Sequence, residues 1–148
     1  MKSILFAGAC AFAVVGAASA EPWVDWSPQK GVYSVTAVKC DPNHIDDYLT
    51  GLKKSWVSAE EYRKAHGMID EYQVMVKVGA AGGEANILLI EHMKSFTTMD
   101  PDKKRDTEMR KAMLAQMPKE QSDAMVAGYE KYRTFVGEDM WRTVDFAK

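Results

Sequence analysis

The chain has 148 residues, 47% of them hydrophobic and 27% charged, with a formal net charge of −2. That length suits one domain with a core of its own. No basic block is present, which argues against nucleic acid as a partner.

The N-terminus reads "MKSILFAGACAFAVVGAASAEPW". Lys2 precedes an apolar run from about Ile4 to Val15, and Ala18-Ser19-Ala20 closes it. This is the layout of a secretory signal peptide with an A-x-A cleavage site. The run is too short and too rich in small residues for a good membrane anchor. Cleavage after Ala20 would leave 128 residues from Glu21 on, with a net charge of −3 once Lys2 is gone. Ala7-Gly8-Ala9 lacks the large aliphatic residue expected before a lipidated cysteine, so Cys10 is not expected to carry a lipid. The expected location is periplasmic or secreted, with no stable membrane insertion after cleavage. Cys40 is then the one remaining cysteine. It has no partner for an internal disulfide and reads as a small apolar residue at a strand end.

Residues 21–31, "EPWVDWSPQKG", predict an irregular leader whose Trp23 and Trp26 can tuck against the body. "VYSVTAVKC" (32–40) is rich in β-branched and aromatic residues and predicts a strand. Over 41–67 the period changes. Ile45, Leu49, Leu52, Trp56 and Ala59 recur at helical steps, with Asp41 or Asn43 as cap and Gly67 as stop. His66 stands last before that glycine with Arg63 and Lys64, where cations suit the end of the helix dipole. Arg63 and His66 also fall near the apolar stripe, so His66 has a functional reading beside the capping one.

Residues 68–78 alternate: Tyr72, Val74, Val76 and Val78 on one face, Glu71, Gln73, Met75 and Lys77 on the other. "GAAGGEA" (79–85) predicts a flexible hairpin connection, since no Gly-Lys-Ser/Thr follows. "NILLIEHM" (86–93) predicts a more fully apolar strand. Asp100-Pro101 predicts a helix start, with Asp100 as cap, running to Met117 and interrupted by Pro118. A second main helix is expected over 119–137, with Met125, Tyr129, Tyr132 and Val136 on one face and Gly137 as stop. "MWRTVDF" (140–146) predicts a last strand.

Strand, helix, strand, strand, helix, strand is the split βαβ, or ferredoxin-like, order. It predicts an α+β fold over 32–148: a four-stranded antiparallel sheet with both main helices on one face. In element order, length and the helix–glycine–strand join at His66-Gly67-Met68, residues 32–146 resemble the dimeric α+β barrel superfamily. There, two ferredoxin-like sheets close face to face into one barrel. Members with this look include small exported proteins of unknown role, cofactor-independent monooxygenases, haem-degrading enzymes, isomerases and stress proteins.

The resemblance implies a homodimer whose barrel interior is the site. Alternation then nominates Ser34, Thr36, Gln73, Met75, Lys77 and Arg142 as ligand-binding, and His66 joins them from its place near the apolar helix stripe. Glu71, with either Glu91 or His92, is nominated as catalytic. The phase of 86–93 stays open: Glu91 faces inward with Leu89, or His92 does with Ile90. A half-buried Glu opposite Arg or Lys is either a base with a raised pKa or an ion pair that orders the sheet. No cofactor is expected, and no metal, since His44, His66 and His92 lie in different elements without an H-E-x-x-H motif or a cysteine pair. The leading expectation is an exported dimer that binds a small apolar or aromatic molecule. The alternatives are a monooxygenase or isomerase of the same fold, and an interaction protein with a packed barrel.

Overall fold

A computed structural model describes residues 20–79 and 84–147. The expected signal segment, apart from Ala20, and positions 80–83 of the glycine-rich loop lie outside the described residues. The chain order is β1 (Trp26–Pro28), β2 (Val32–Cys40), α1 (Ile45–Lys54), α2 (Trp56–Ala65), β3 (Glu71–Val76), β4 (Ile87–Met93), α3 (Lys103–Gln116), α4 (Lys119–Tyr129), β5 (Arg133–Trp141) and β6 (Val144–Phe146). Short 3₁₀ turns precede α1 and α3. The architecture is α+β. Its main sheet is four-stranded and antiparallel in the order β3-β4-β2-β5, which is compatible with a ferredoxin-like arrangement.

The core lies between one face of this sheet and the helices. Val38, Cys40, Ile87 and Leu89 of the sheet meet Tyr48 and Leu52 of α1 and Tyr129 of α4, with Trp56, Val74 and Met125 packed around them. Burying each such large side chain stabilises the fold by about 1.5–3 kcal/mol. Asn86 secures one end of β2. Its side-chain amide donates to the Cys40 carbonyl (2.7 Å) and accepts from the Cys40 N–H (2.8 Å).

Four expected boundaries are corrected. The helix foreseen over 41–67 is bent into α1 and α2 at Ser55, where φ is −108° and ψ −86°. The Ser55 hydroxyl donates back to the Gly51 carbonyl (3.1 Å), a local bond that competes with the helical ladder and bends helices. Asp102, not Asp100, caps α3 by accepting from the Arg105 N–H at 3.0 Å. The helix foreseen to Gly137 stops at Tyr129, and residues 133–141 form β5. Tyr132 and Val136 do continue the helical spacing of Met125 and Tyr129. Pairing of the β-branched and aromatic run after Tyr132 with β2 overrides it. The last strand foreseen at 140–146 is therefore the end of β5 and a separate β6, which pairs with β1 in a small ribbon. Trp23 is 74% exposed at a positive φ of 69°, so it does not tuck against the body.

Candidate functional site

Residues directly opposed in an antiparallel pair share a face. Ser34 opposes Glu91 and Thr36 opposes Leu89, in line with the core pair Val38 and Ile87. Ser34 and Thr36 thus point toward the helices, not to the open face expected for them. β2 is apolar on both sides, so alternation carried no phase. The set containing Val38 and Cys40 takes the helix face, and the two hydroxyls go with it. Glu91 joins them, which closes the question left open for 86–93: His92, with Leu88 and Ile90, takes the other face.

That open face gathers Glu71, Gln73 and Met75 of β3, opposite His92, Ile90 and Leu88 of β4. Tyr33, Val35 and Ala37 of β2 continue it, followed by Asp139 and Trp141 of β5. Its middle is apolar, with Glu71, Gln73 and His92 grouped toward one corner and Asp139 on the opposite edge. The Glu71 carboxylate accepts from the Gln73 side chain. His92 Nδ1 lies 3.3 Å from Asp70 Oδ2. The His92 ring packs on Tyr33, with centroids 4.5 Å apart, and its Nε2 faces Gly31 closely.

The remaining nominated residues sit apart from this group. Lys77 follows β3 at the sheet edge, beside Met75, and both line a cavity of about 350 Å³. Arg142 lies in the exposed break between β5 and β6, with its guanidinium 5.7 Å from the Phe96 ring. His66 is the C-cap of α2. Its Nδ1 is 2.8 Å from the Tyr62 carbonyl oxygen and its ring stacks on Tyr62. Gly67, at φ 67°, takes the left-handed turn that ends the helix. His66 is occupied as a helix end.

On the helix face, Arg63 Nη1 donates to both carboxylate oxygens of Glu60 (3.0 and 2.8 Å) and to Glu91 Oε2 (2.6 Å). Glu60 is 2% exposed. Burial first, and next the neighbouring Glu91, push its carboxyl up to about 7, against the pull of Arg63. This group changes charge near neutral pH inside the protein. Sequence reading missed Glu60, although Trp56, Glu60 and Arg63 share one helical stripe at four- and three-residue steps. A carboxylate and a guanidinium on the apolar stripe were the available signal. Beyond this cluster, Thr36 faces a cavity of about 420 Å³ walled by Trp56, Leu89, Phe135 and Glu138.

Among the described residues, no group of three or more His, Cys, Asp or Glu stands where it could hold a metal ion. None of their helices is long and apolar enough to cross a membrane. Comparisons with protein-family models, with curated proteins and with solved structures return no match.

Proposed function

We propose that this chain is an exported protein of the dimeric α+β barrel type, ferredoxin-like in its subunit. Two copies pair through their open sheet faces and hold a small apolar or aromatic molecule between them. One observation carries this reading. The face of the sheet away from the core bears Tyr33, Val35, Ala37, Leu88, Ile90, Met75 and Trp141 beside the polar Glu71, Gln73, His92 and Asp139, while α1, α2 and α4 supply cover on the opposite side. A sheet face this apolar gains by being covered. A second copy supplies a matching surface through a two-fold axis.

Binding is favoured over chemistry because the nominated catalytic groups are already engaged. Glu71 is held by Gln73, Glu91 by Arg63, and His92 by Asp70 and Tyr33. Export rests on the N-terminal pattern of Lys2, the apolar run and Ala18-Ser19-Ala20.

Native mass spectrometry of the purified protein is the test. A dimer with a reproducible extra mass supports the reading, and Ile90→Glu should then give a folded monomer without it. A bare monomer at micromolar concentration defeats it.

A further inference from the structure

A second cavity, of about 360 Å³, lies away from the open sheet face, where the α1–α2 bend meets α3 and α4. Its origin is legible in α3, "KKRDTEMRKAMLAQ", which has too few apolar residues to collapse onto its neighbours and buries none of its side chains fully. Pro118 then turns the chain into α4, and the corner stays open. The walls are mostly apolar, with Trp56 and Ala59 from α2, Met113 and Leu114 from α3, and Met117 from the turn, and Ser55, Ser58, Gln116 and Ser122 complete them. Lys54, Arg110 and Lys119 also line it and are exposed, so they stand at its mouth. No acidic residue lines it, although the chain has 21 acidic residues against 19 Lys and Arg. Lys119 is partnered by Asp123 at 2.5 Å. Lys54 and Arg110 have no ion-pair partner among the described residues.

We infer that this cavity binds a small amphipathic anion, a carboxylate with an alkyl or aryl body. The body lies against Trp56 and the methionines, and the carboxylate meets Lys54 and Arg110 at the mouth. The size falls in the range of small-ligand sites, roughly 300–1,000 Å³. Methionine walls adapt to ligands of varied shape. Placing the two cations at the rim keeps their charges hydrated until the ligand arrives, so no buried unpaired charge has to be maintained. The site is distinct from the proposed dimer interior and does not depend on it.

Isothermal titration calorimetry with decanoate, and with decyltrimethylammonium as the cation of equal chain length, tests the inference. Decanoate should saturate at one per chain and bind at least about tenfold more tightly than the cation, because only the anion meets complementary charge. The double variant Lys54→Glu/Arg110→Glu, altered only at exposed positions, should reverse that preference. Met113→Trp, which puts a bulkier ring into the cavity, should weaken binding of both. Ile90→Glu, on the open sheet face, should leave decanoate binding unchanged, so the failure of one proposal is separable from that of the other. Absence of saturable decanoate binding overturns the inference. So does an unchanged preference in the charge-reversed variant, or loss of binding in Ile90→Glu with retention in Met113→Trp.

Discussion

Arg63 Nη1 lies 2.6 Å from Glu91 Oε2, so one guanidinium ties the second half of the bent helix to the centre of the sheet. The same nitrogen holds Glu60, which stays protonated in the folded chain to about pH 7 against an ordinary value of 4.5. Between those two values the unfolded chain gains by ionising this carboxyl while the folded chain cannot. The stability Glu60 contributes is therefore fully present below about pH 4.5, falls as pH rises, and is lost above about pH 7. The full swing is on the order of 3 kcal/mol. Glu60→Gln, which mimics the protonated form, should exceed the parent only slightly in urea denaturation at pH 5 and clearly at pH 8. Parallel stability curves for the two proteins from pH 5 to 8 would sink this account.

Gly51 on α1 faces the ring of Tyr129 on α4 so closely that a β-carbon would collide with its hydroxyl and two ring carbons. Alanine normally helps a helix interior by about 1 kcal/mol over glycine. Here overpacking should outweigh that gain, and Gly51→Ala should destabilise by about 1–3 kcal/mol. In a Tyr129→Leu background the same substitution should become neutral or favourable. A double-mutant cycle read by chemical denaturation measures this coupling directly. Additivity of the two changes would mean that the helices separate to accept the methyl group.

Much of the fold was legible because it follows from local periodicity. The limits of β2, the two faces of β3 and the glycine after His66 all came from spacing and residue type. What was hidden depended on partners distant in the chain. Met125, Tyr129, Tyr132 and Val136 satisfy one helical face. Only pairing with β2 tells that the last two leave the helix, and the register shift between Ala37 and Val38 adds an irregularity that no periodicity encodes. Ser34 and Thr36 are polar residues on a strand apolar on both sides, so their burial depends on which face the helices choose. Glu60 looks like a surface glutamate until Arg63 and Glu91 are seen together. The face taken by Glu71, Gln73 and Met75 was thus legible, because their strand alternates cleanly, and the arrangement was hidden where charge is buried.

Cys40 is 2% exposed and sits in the core beside Tyr48 and Ile87. Burial first, then Asp41 and Asp47, push its thiol above the ordinary value, which keeps it protonated and unreactive. Iodoacetamide at pH 8 should leave Cys40 unlabelled in the folded protein and label it fully in urea, as mapped by peptide mass. Equal labelling rates in the two conditions would mean that the end of β2 opens readily despite its two bonds to Asn86.

His92 was the histidine nominated for chemistry, and its surroundings argue for a packing role. Asp70 stands at Nδ1, Tyr33 covers the ring, and the backbone of Gly31 approaches Nε2. A β-carbon at Gly31 would run into that imidazole. Gly31→Ala should therefore destabilise by about 1–3 kcal/mol through overpacking. With His92→Ala already in place, the same change should have little further effect. If Gly31→Ala is instead harmless in the parent chain, the imidazole can swing away from Gly31. The nitrogen then free to reach the open sheet face would restore His92 as a candidate proton carrier.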